Sequence, residues 1–465
     1  MMEKYYKIIQ YKGKNYLFNI LTFVTKIINE PHDLIAFEKE TLLFEELEES
    51  IKEILRKDKF IRLTPLNIQE EQDNFNLVSF SFPPIHECNL RCTYCFANHG
   101  ENFVGENRTF TDDLVEKLCN FIIDNYSTTK NFRLDFVSGG ESLLNSKKTI
   151  HFIELAKSIF KNREKNLFVW LCTNGTTITN SDAKALDTLG VRLGISIDGN
   201  KTIHDAVRPF VNGKGSYEVL INNVKQILED KDLSKQFRHV WALTTITSIN
   251  HDFVSILKHL KQIGFTGVQM KFIRVPKDNP LSLNQKNICD YKKDIEAYFE
   301  FLYEECRSND FSSLMLIVND TDFVGKIIKR YFLNIPLANR CYAARSQCSI
   351  TADGEIFPCA SFVGEEKYSI GNIYRGFDMK KRNNFFNRTV DENVVCSKCW
   401  ARYLCTGQCF SNCLYANDDI SIPEKLYCII EKKVIMETIH FAYKLSDEQY
   451  DKIVRMLRLK NYTRD

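Results

Sequence analysis

The chain has 465 residues, of which 44% are hydrophobic, so it can bury the cores of two or three domains. Its 62 Lys and Arg almost balance its 60 Asp and Glu, and the net charge of +2 provides no broad cationic surface for nucleic acid. No apolar run reaches the roughly eighteen residues of a membrane-spanning helix, and the amino terminus lacks the regions of a secretory signal. We therefore expect a cytoplasmic protein with no nucleic-acid or membrane partner.

Residues 1–75 predict a small α+β domain. Three β-type runs, KYYKIIQYK, KNYLFNIL and FVTKIINE, precede the helical segment KETLLFEELEESIKEILRK. This domain has no cysteine and no clustered catalytic pair, so it predicts no chemistry of its own. The apolar positions of the predicted helix are Leu43, Phe44, Leu47, Ile51 and Leu55.

Residues 76–310 alternate between apolar runs and amphipathic helices, which is typical of βα units around a parallel sheet. Six units predict an α/β fold, a partial (β/α)6 barrel, with its functional residues at the carboxyl ends of the strands. From about residue 340 to 430 the chain is rich in Cys and poor in apolar periodicity. We predict one domain over residues 311–430 and a helical segment over residues 431–465. The predicted strands are LVSFSF at 77–82, FRLDFVS at 132–138, LFVWLCT at 167–173, LGISID at 193–198, VWALTTIT at 240–247 and VQMKFIRV at 268–275.

The sixteen cysteines are too many for an ordinary cytosolic chain, and a reducing compartment disfavours disulfides, so metal is the better interpretation. Three lie within residues 88–95 and nine within residues 341–428. The remaining four, which we interpret as ordinary core or helix residues, are Cys119, Cys172, Cys289 and Cys306.

The first group has the spacing C-x3-C-x2-C, formed by Cys88, Cys92 and Cys95. Three thiolates from one loop leave one iron of a four-iron cluster without a protein ligand, and that iron can bind a cofactor or substrate. A zinc knuckle completed by His86 or His99 is the alternative. The segment CNLRCTYC after a first barrel strand resembles the cluster loop of the radical S-adenosylmethionine (radical SAM) superfamily, and the resemblance covers roughly residues 80–430.

This resemblance implies a set of S-adenosylmethionine contacts and no catalytic side chain. Ser138-Gly139-Gly140-Glu141 resembles an element in which small residues approach the methionine amine and the carboxylate balances its charge. The alternative for that element is a simple strand-to-helix turn. Arg208 could instead belong to a surface ion pair, and Asp198 could instead cap a turn. The implied cofactor-binding residues are Tyr94, Gly139, Gly140, Glu141, Asn174, Ser196 and Arg208.

The second group of cysteines resembles the SPASM extension of radical SAM enzymes that modify peptides, which implies two further 4Fe–4S clusters and three in all. Two zinc ribbons are the alternative. Cys413 is left over, as a structural residue or a reactive thiol. The resemblance gives Cys396, Cys399, Cys405 and Cys428 to one cluster, and Cys341, Cys348, Cys359 and Cys409 to the other.

The order of elements in residues 1–75 resembles the small, winged-helix-like peptide-recognition domain of ribosomal-peptide maturases, where a leader peptide adds a strand to a sheet edge. A domain that only stabilises the barrel is the alternative. We therefore predict a maturase that forms thioether links between a Cys sulfur and an acceptor carbon of a precursor peptide, with a reductant such as flavodoxin or ferredoxin. Carbon–carbon crosslinking and sulfatase-type formylglycine formation are the enzyme alternatives, and a zinc-stapled binding protein is the alternative from another class.

Overall fold

The computed structural model describes residues 3–29, 31–39, 42, 46–47, 49–57, 61–62, 75–98, 109–137, 139–386 and 388–462. Among these residues, no helix combines the length and the apolar character needed to cross a membrane. The strands are β1 (Glu3–Lys4), β2 (Tyr6–Tyr11), β3 (Lys14–Asn19), β4 (Thr25–Ile27), β5 (Ile61–Arg62), β6 (Val78–Ser81), β7 (Asn131–Phe136), β8 (Asn166–Thr173), β9 (Val191–Ser196), β10 (Trp241–Ile246), β11 (Gly267–Phe272), β12 (Gln347–Ile350), β13 (Glu355–Phe357), β14 (Gly371–Asn372) and β15 (Gly376–Phe377). The helices are α1 (His32–Glu38), α2 (Glu49–Lys57), α3 (Asp112–Asn125), α4 (Ser146–Asn162), α5 (Asn180–Thr188), α6 (Lys201–Val207), α7 (Tyr217–Glu229), α8 (Phe253–Ile263), α9 (Ile288–Arg307), α10 (Ser312–Ile317), α11 (Gly325–Leu333), α12 (Met379–Phe386), α13 (Arg402–Cys405), α14 (Phe410–Asn417), α15 (Lys425–Lys444) and α16 (Asp447–Tyr462).

These elements belong to two compact units that alternate along the chain. The first unit contains Met1–Glu70, Asn284–Arg340 and Thr389–Asp465. The second unit contains Glu71–Leu283 and Cys341–Arg388. Both units are therefore built from segments that are distant in sequence.

The second unit is organised around a parallel sheet. Its strands β6 to β11 pair side by side in chain order, and each pairing is parallel. Helices lie between successive strands, so the six predicted βα units and the α/β fold are confirmed. The sheet continues beyond β6 with β12, which is parallel to it, and then with the antiparallel strands β13 to β15, which were not predicted.

Local sequence signals explain the ends of several helices in this unit. Thr179 and Asp182 form a reciprocal capping box at the start of α5, which satisfies otherwise unpaired backbone N–H groups. The Asp252 side chain accepts the Ser255 N–H at the start of α8. Gly264 ends α8 with a φ of 106°, a left-handed conformation that glycine adopts without a Cβ clash.

The amino-terminal part of the first unit is a three-stranded antiparallel sheet in the order β2-β3-β4, which confirms the three predicted strands. The predicted helix is shorter than expected: α2 begins at Glu49, which places an acidic residue at the positive end of the helix dipole. Leu43 and Phe44 lie outside the described residues. The buried core of this module consists of Tyr6, Ile8, Leu17, Leu34, Phe37, Leu47 and Leu55.

The β2–β3 hairpin contacts helix α15 through polar groups. The Tyr11 hydroxyl donates to the Glu437 carboxylate, and Lys12 Nζ lies 3.0 Å from Glu437 Oε2. The Tyr16 hydroxyl lies 2.7 Å from His440 Nδ1. Glu437 is also paired with Lys433 at 3.0 Å, so one carboxylate joins the hairpin to the helix.

The carboxyl-terminal helical segment consists of two helices, α15 and α16. They are separated because Ser446 and Gln449 form a capping box: the Ser446 N–H donates to Gln449 Oε1 at 3.0 Å, and the Gln449 N–H donates to Ser446 Oγ at 3.3 Å. The sequence Ser-x-x-Gln therefore starts a new helix.

We expect Glu437→Ala to destabilise the protein by about 1–3 kcal/mol, because the buried Lys433 ammonium and the Tyr11 hydroxyl lose a buried carboxylate acceptor. Glu437 is 1% exposed, whereas Glu300, which pairs with Lys444 of the same helix, is half exposed. Glu300→Ala is the matched control and should cost less than about 1 kcal/mol. Denaturant unfolding of both variants measures the difference, and equal losses would contradict the anchoring role of Glu437.

Candidate active site and iron–sulfur sites

The loop that carries the first three cysteines follows β6 and is fixed to the segment that follows α6. The Arg91 N–H donates to the Pro209 carbonyl at 2.8 Å, and the Thr93 N–H donates to the Val207 carbonyl at 2.9 Å. Both segments follow parallel strands, β6 and β9. The loop therefore lies at the carboxyl ends of the strands, where sites on this kind of sheet are expected.

The glycines after β7 allow the chain to approach the cysteine loop closely. Gly139 and Gly140 have positive φ values of 119° and 83°. A Cβ atom on Gly140 would lie 2.2 Å from the Ile85 carbonyl oxygen and 2.8 Å from the Glu87 carbonyl oxygen. Position 140 therefore requires glycine both for its conformation and for its contact with the backbone just before Cys88.

The three thiols of the loop lie within electrostatic reach of one another. Burial raises the pKa of Cys88 to about 11, although the Leu90 N–H donates to its sulfur at 3.4 Å and acts in the opposite direction. Burial raises the pKa of Cys92 to about 12, while the nearby Arg208 guanidinium lowers it. Cys95 interacts with both of these thiols. Because iron binds the thiolate, loading this site releases protons and is favoured by higher pH.

No three described His, Cys, Asp or Glu side chains are close enough to hold a single metal ion. The thiolates of a 4Fe–4S cluster bind separate iron atoms, so they need not converge on one point. Three thiols on one short loop therefore fit such a cluster with one iron open. His99, a candidate zinc ligand, and Ser138, which precedes the glycine pair, lie outside the described residues.

A buried ion pair lies beside the cysteine loop. Arg208 Nε donates to Asp198 Oδ2 at 2.7 Å, and Arg208 Nη1 lies 3.8 Å from Cys92 Sγ. The Tyr94 hydroxyl donates to the same Asp198 oxygen, and the Arg208 guanidinium lies 5.2 Å from the centre of the Tyr94 ring. The Thr245 N–H donates to the other Asp198 oxygen at 2.7 Å. Asp198 is thus fully satisfied and positions both Tyr94 and Arg208.

His204 supports this ion pair through the backbone of both partners. The Asp198 N–H donates to His204 Nδ1 at 3.3 Å, and His204 Nε2 lies 3.0 Å from Ser216 Oγ, which donates to the Arg208 carbonyl at 2.6 Å. This sequence of donors assigns a neutral imidazole with its proton on Nε2. Burial, together with the charge of Arg208, lowers the pKa of His204 to about 4.

Glu141 is committed to the protein backbone and to a neighbouring strand. Its carboxylate accepts the Leu143 N–H at 3.1 Å, the Thr173 hydroxyl at 2.6 Å and the Asn174 N–H at 2.7 Å. Burial nevertheless raises its pKa, against these donors. The carboxylate therefore fixes the ends of β7 and β8 relative to each other, in addition to any charge balance for a cofactor.

Asn174 connects the end of β8 to the cysteine loop. Its Nδ2 donates to Asn89 Oδ1 at 2.8 Å, and its Oδ1 accepts the Thr176 N–H at 2.9 Å. Ser196 is the last residue of β9 and is partly buried. The described residues of the implied cofactor site thus lie on this loop or at or just beyond the carboxyl ends of β7, β8 and β9, except Arg208, which follows α6 and reaches the loop through Asp198 and Cys92.

Sequence reasoning missed the roles of Asp198, His204 and Asn89 in this arrangement. Asp198 was interpreted as a turn cap, but it is a buried ion-pair partner, with 0% exposure. The signal was available in the motifs SIDG and HDAVRPF, where an acidic residue at a strand end precedes an Arg by ten positions.

The second cysteine group is divided between the two units. In the second unit, Cys348 lies on β12, and Cys359 precedes a short 3-10 helix. Burial raises the pKa of Cys348 to about 12, with Arg382 opposing and Cys359 adding to the effect. Cys341 lies in the same unit and is partly buried.

In the first unit, the structure brings together the four cysteines that the resemblance assigns to one cluster. Cys396 interacts with Cys399 and Cys428, and Cys428 interacts with both Cys399 and Cys405. Burial raises the pKa of Cys396 to about 11 and that of Cys405 to about 12. The Cys399 N–H donates to the Cys396 carbonyl at 2.9 Å, which gives the C-x2-C pair a tight turn. Four thiols at these positions fit a closed 4Fe–4S cluster.

Cys409 and Cys413 lie in the same unit. Cys409 precedes α14, and its sulfur is 3.1 Å from Ser411 Oγ. Cys413 is buried within α14, and burial raises its pKa to about 12. The Cys413 thiol lies 4.0 Å from Gln408 Oε1.

Comparison with known families agrees with this geometry. Residues 82–232 match the radical SAM superfamily, and residues 341–400 match the SPASM iron–sulfur cluster-binding domain. The chain carries both a radical SAM domain and a SPASM domain. These domains imply S-adenosylmethionine and 4Fe–4S clusters as cofactors, which confirms that expectation.

Two curated relatives are similar in sequence to this chain over about 70% of its length. The cysteine-type anaerobic sulfatase-maturating enzyme of Clostridium novyi (strain NT) is 28% identical over 357 residues, which are 71% of this chain and 87% of the relative. The serine-type anaerobic sulfatase-maturating enzyme of Bacteroides thetaiotaomicron is 24% identical over 355 residues, which are 70% of this chain and 80% of the relative.

Solved structures share the fold of this radical SAM–SPASM chain. The structure of anSMEcpe with bound AdoMet and the Kp18Cys peptide has a TM-score of 0.64 and 22% identity, covering 82% of this chain and 99% of that one. Streptococcus suis SuiB bound to the precursor peptide SuiA has a TM-score of 0.52 and 13% identity, covering 92% of this chain and 99% of that one.

We expect Gly140→Ala to impair assembly of the first cluster, because the added Cβ would collide with the backbone that precedes Cys88. Gly213 is a matched control, since its φ of 79° is nearly the same but nothing lies within 4 Å of its Cβ position. Both substitutions cost about 1–3 kcal/mol of backbone strain, and only Gly140→Ala adds the collision. The effect is measured as iron content per chain and as formation of 5′-deoxyadenosine. If Gly140→Ala retained as much iron and as much 5′-deoxyadenosine formation as Gly213→Ala, the prediction would be wrong.

Because the pKa of His204 is lowered, we predict that part of the free energy of unfolding is lost at acidic pH. Its pKa is about 4 in the folded chain and about 6.5 when unfolded, so protonation favours unfolding. The stabilisation is present above pH 6.5 and is lost as the pH falls towards 4. His204→Gln should remove this component, whereas His151→Gln, at an exposed site, should retain it. Denaturant unfolding of the metal-free proteins across this pH range is the measurement, and identical pH profiles for wild type and His204→Gln would contradict the prediction.

Proposed function

We propose that this chain oxidises a residue of a peptide or protein substrate by hydrogen-atom abstraction. The observation that carries the proposal is the placement of the three thiols of Cys88, Cys92 and Cys95 beside the buried Arg208–Asp198 pair at the carboxyl ends of the parallel strands. When bound there, a reduced cluster with an open iron supplies a 5′-deoxyadenosyl radical from S-adenosylmethionine.

We assign the protein ligands and contacts as follows. Cys88, Cys92 and Cys95 would hold the first cluster, and Cys396, Cys399, Cys405 and Cys428 would hold one auxiliary cluster. Asp198 orients Arg208 so that its positive charge lies beside Cys92. This charge favours an anion at that position, either the carboxylate of a bound ligand or a thiolate. The remaining assignments are Cys341, Cys348, Cys359 and Cys409 for the other auxiliary cluster, and Tyr94, Gly139, Gly140, Glu141, Asn174 and Ser196 for the surroundings of S-adenosylmethionine.

The reaction that we favour is the oxidation of a Cys or Ser residue to formylglycine. Curated relatives over about 70% of this chain are cysteine-type and serine-type sulfatase-maturating enzymes. For a Cys substrate, the β-carbon would lose one hydrogen atom to the 5′-deoxyadenosyl radical and one electron to an auxiliary cluster. The sulfur would lose its proton, which leaves a thioaldehyde. Water converts the thioaldehyde to the aldehyde and releases hydrogen sulfide, so the net change is a two-electron oxidation. These relatives favour formylglycine formation over the thioether formation that the sequence analysis predicted.

Thioether formation in a precursor peptide remains the second candidate because of the amino-terminal module. The three-stranded antiparallel sheet of β2, β3 and β4 has edge strands that can accept an added peptide strand. The structural match includes 99% of the anSMEcpe chain but only 82% of this chain, so part of this chain has no counterpart in that structure. The coverage by SuiB, a structure solved with its precursor peptide, is larger.

Two substrates distinguish the candidates. One is a sulfatase-type peptide with a single target Cys, and the other is a small Cys-containing peptide encoded beside the gene. An aldehyde that hydrazide reagents trap indicates formylglycine, whereas the loss of two hydrogens and of one alkylatable thiol, without an aldehyde, indicates a thioether. Formation of 5′-deoxyadenosine with no modification of either peptide would contradict both candidates.

Two variants separate radical generation from later oxidation. Cys92→Ala should abolish cleavage of S-adenosylmethionine, because it removes a ligand of the first cluster. Cys405→Ala should preserve cleavage and stop product formation, because an auxiliary cluster takes part only after hydrogen abstraction. The readouts are 5′-deoxyadenosine and modified peptide, and equal loss of both in the two variants would show that the second cysteine group is only a folding element.

A further inference from the structure

Three cationic side chains lie next to Cys405 in the first unit. Lys326 and Arg330 lie on α11 and are 4% and 6% exposed, whereas the side chain of Arg340, seven residues beyond the end of that helix, is 28% exposed. Arg340 Nη1 donates to the Gly407 carbonyl at 2.8 Å, and the Cys405 thiol contacts the same carbonyl at 3.7 Å. Lys326, Arg330 and the thiol therefore share one buried environment, and Arg340 lies at its edge.

Among their described partners, the two buried cations Lys326 and Arg330 have one largely buried carboxylate, that of Glu431. The Glu431 carboxylate pairs with Lys326 at 2.6 Å and with Arg340 at 3.3 Å, both through its Oε1 atom. Arg330 Nη1 donates to the Leu404 carbonyl at 2.9 Å and to the Thr406 hydroxyl at 3.2 Å, which are neutral acceptors on either side of Cys405. Asp320 also acts on Arg330, but its carboxylate is largely exposed and pairs with Lys329.

An excess of buried positive charge is unfavourable unless an anion compensates it, since each buried ion costs several kcal/mol of desolvation. The thiol of Cys405 lies within electrostatic reach of Lys326, Arg340 and Glu431. Four thiolates with their iron atoms carry net negative charge, and that charge increases when the cluster is reduced. The arrangement therefore fits an anionic cluster, and it fits the reduced form best.

We propose that Lys326, Arg330 and Arg340, balanced in part by Glu431, raise the reduction potential of the cluster held by Cys396, Cys399, Cys405 and Cys428. Charge and hydrogen bonding around an iron–sulfur cluster are the means by which a protein sets its potential. A raised potential makes this cluster the better acceptor for the electron that the substrate radical loses after hydrogen abstraction. The inference rests on the proposed assignment of these four ligands.

The test uses reconstituted enzyme in which Cys88, Cys92 and Cys95 are replaced by Ala, so that the signal of the first cluster is absent. Electron paramagnetic resonance during a redox titration gives the midpoint potential, and Cys405→Ala identifies the signal that belongs to this cluster. Lys326→Met should shift that midpoint to lower potential. Lys329→Met is the matched control on the same helix, because its ammonium pairs with the exposed Asp320, and it should leave the midpoint unchanged.

Glu431→Gln provides a second, opposite test. It removes negative charge while keeping the shape of the side chain, so the midpoint should rise. An unchanged midpoint in Lys326→Met at full iron content, or shifts of the same sign in Lys326→Met and Glu431→Gln, would overturn the inference. If Lys326→Met does not assemble the cluster, the sign of the Glu431→Gln shift decides. If Cys405→Ala removes no signal, the ligand assignment has failed instead.

Discussion

The ion pair between Asp198 and Arg208 is the interaction on which the radical SAM site depends. It is buried at the carboxyl end of β9, and its acidic partner also accepts the Tyr94 hydroxyl from the cysteine loop. A charge pair in this position orients the loop only because each partner is satisfied by additional donors or acceptors. The neutral His204 supplies part of that support through the backbone of Asp198 and the hydroxyl of Ser216.

Close backbone packing supplies the second constraint. The Gly139–Gly140 turn packs directly on the backbone that precedes the cysteine loop. The side chains of Glu141 and Asn174 join the end of β8 to the turn and to the loop. The polar residues of this rim are therefore mainly structural partners of one another. A cofactor bound here would meet a site that is already organised, which reduces the cost of ordering side chains on binding.

The sequence predicted the parallel strands because each is an apolar run, buried in the sheet, that local patterning reveals. It did not predict β12 to β15, which are short. Of these strands, β12 pairs with β6, a segment more than two hundred residues away in sequence. Likewise, the cysteine spacing predicted the first cluster because Cys88, Cys92 and Cys95 lie on one short loop, whereas the contacts of Asp198 with Tyr94 and Thr245 join segments that are distant in sequence. The choice between formylglycine and thioether products was not predictable, since the acceptor atom belongs to another molecule.

The separation of Tyr11 from Glu437 has a consequence for biosynthesis. These partners lie 426 positions apart, and the first unit is assembled from three distant stretches of chain. At about 5–20 residues per second, the ribosome needs about 20–90 s after making the hairpin to deliver the helix that anchors it. The nascent hairpin therefore waits, with its contact surface uncovered, until translation is almost complete, and no contiguous fragment of the gene encodes this unit.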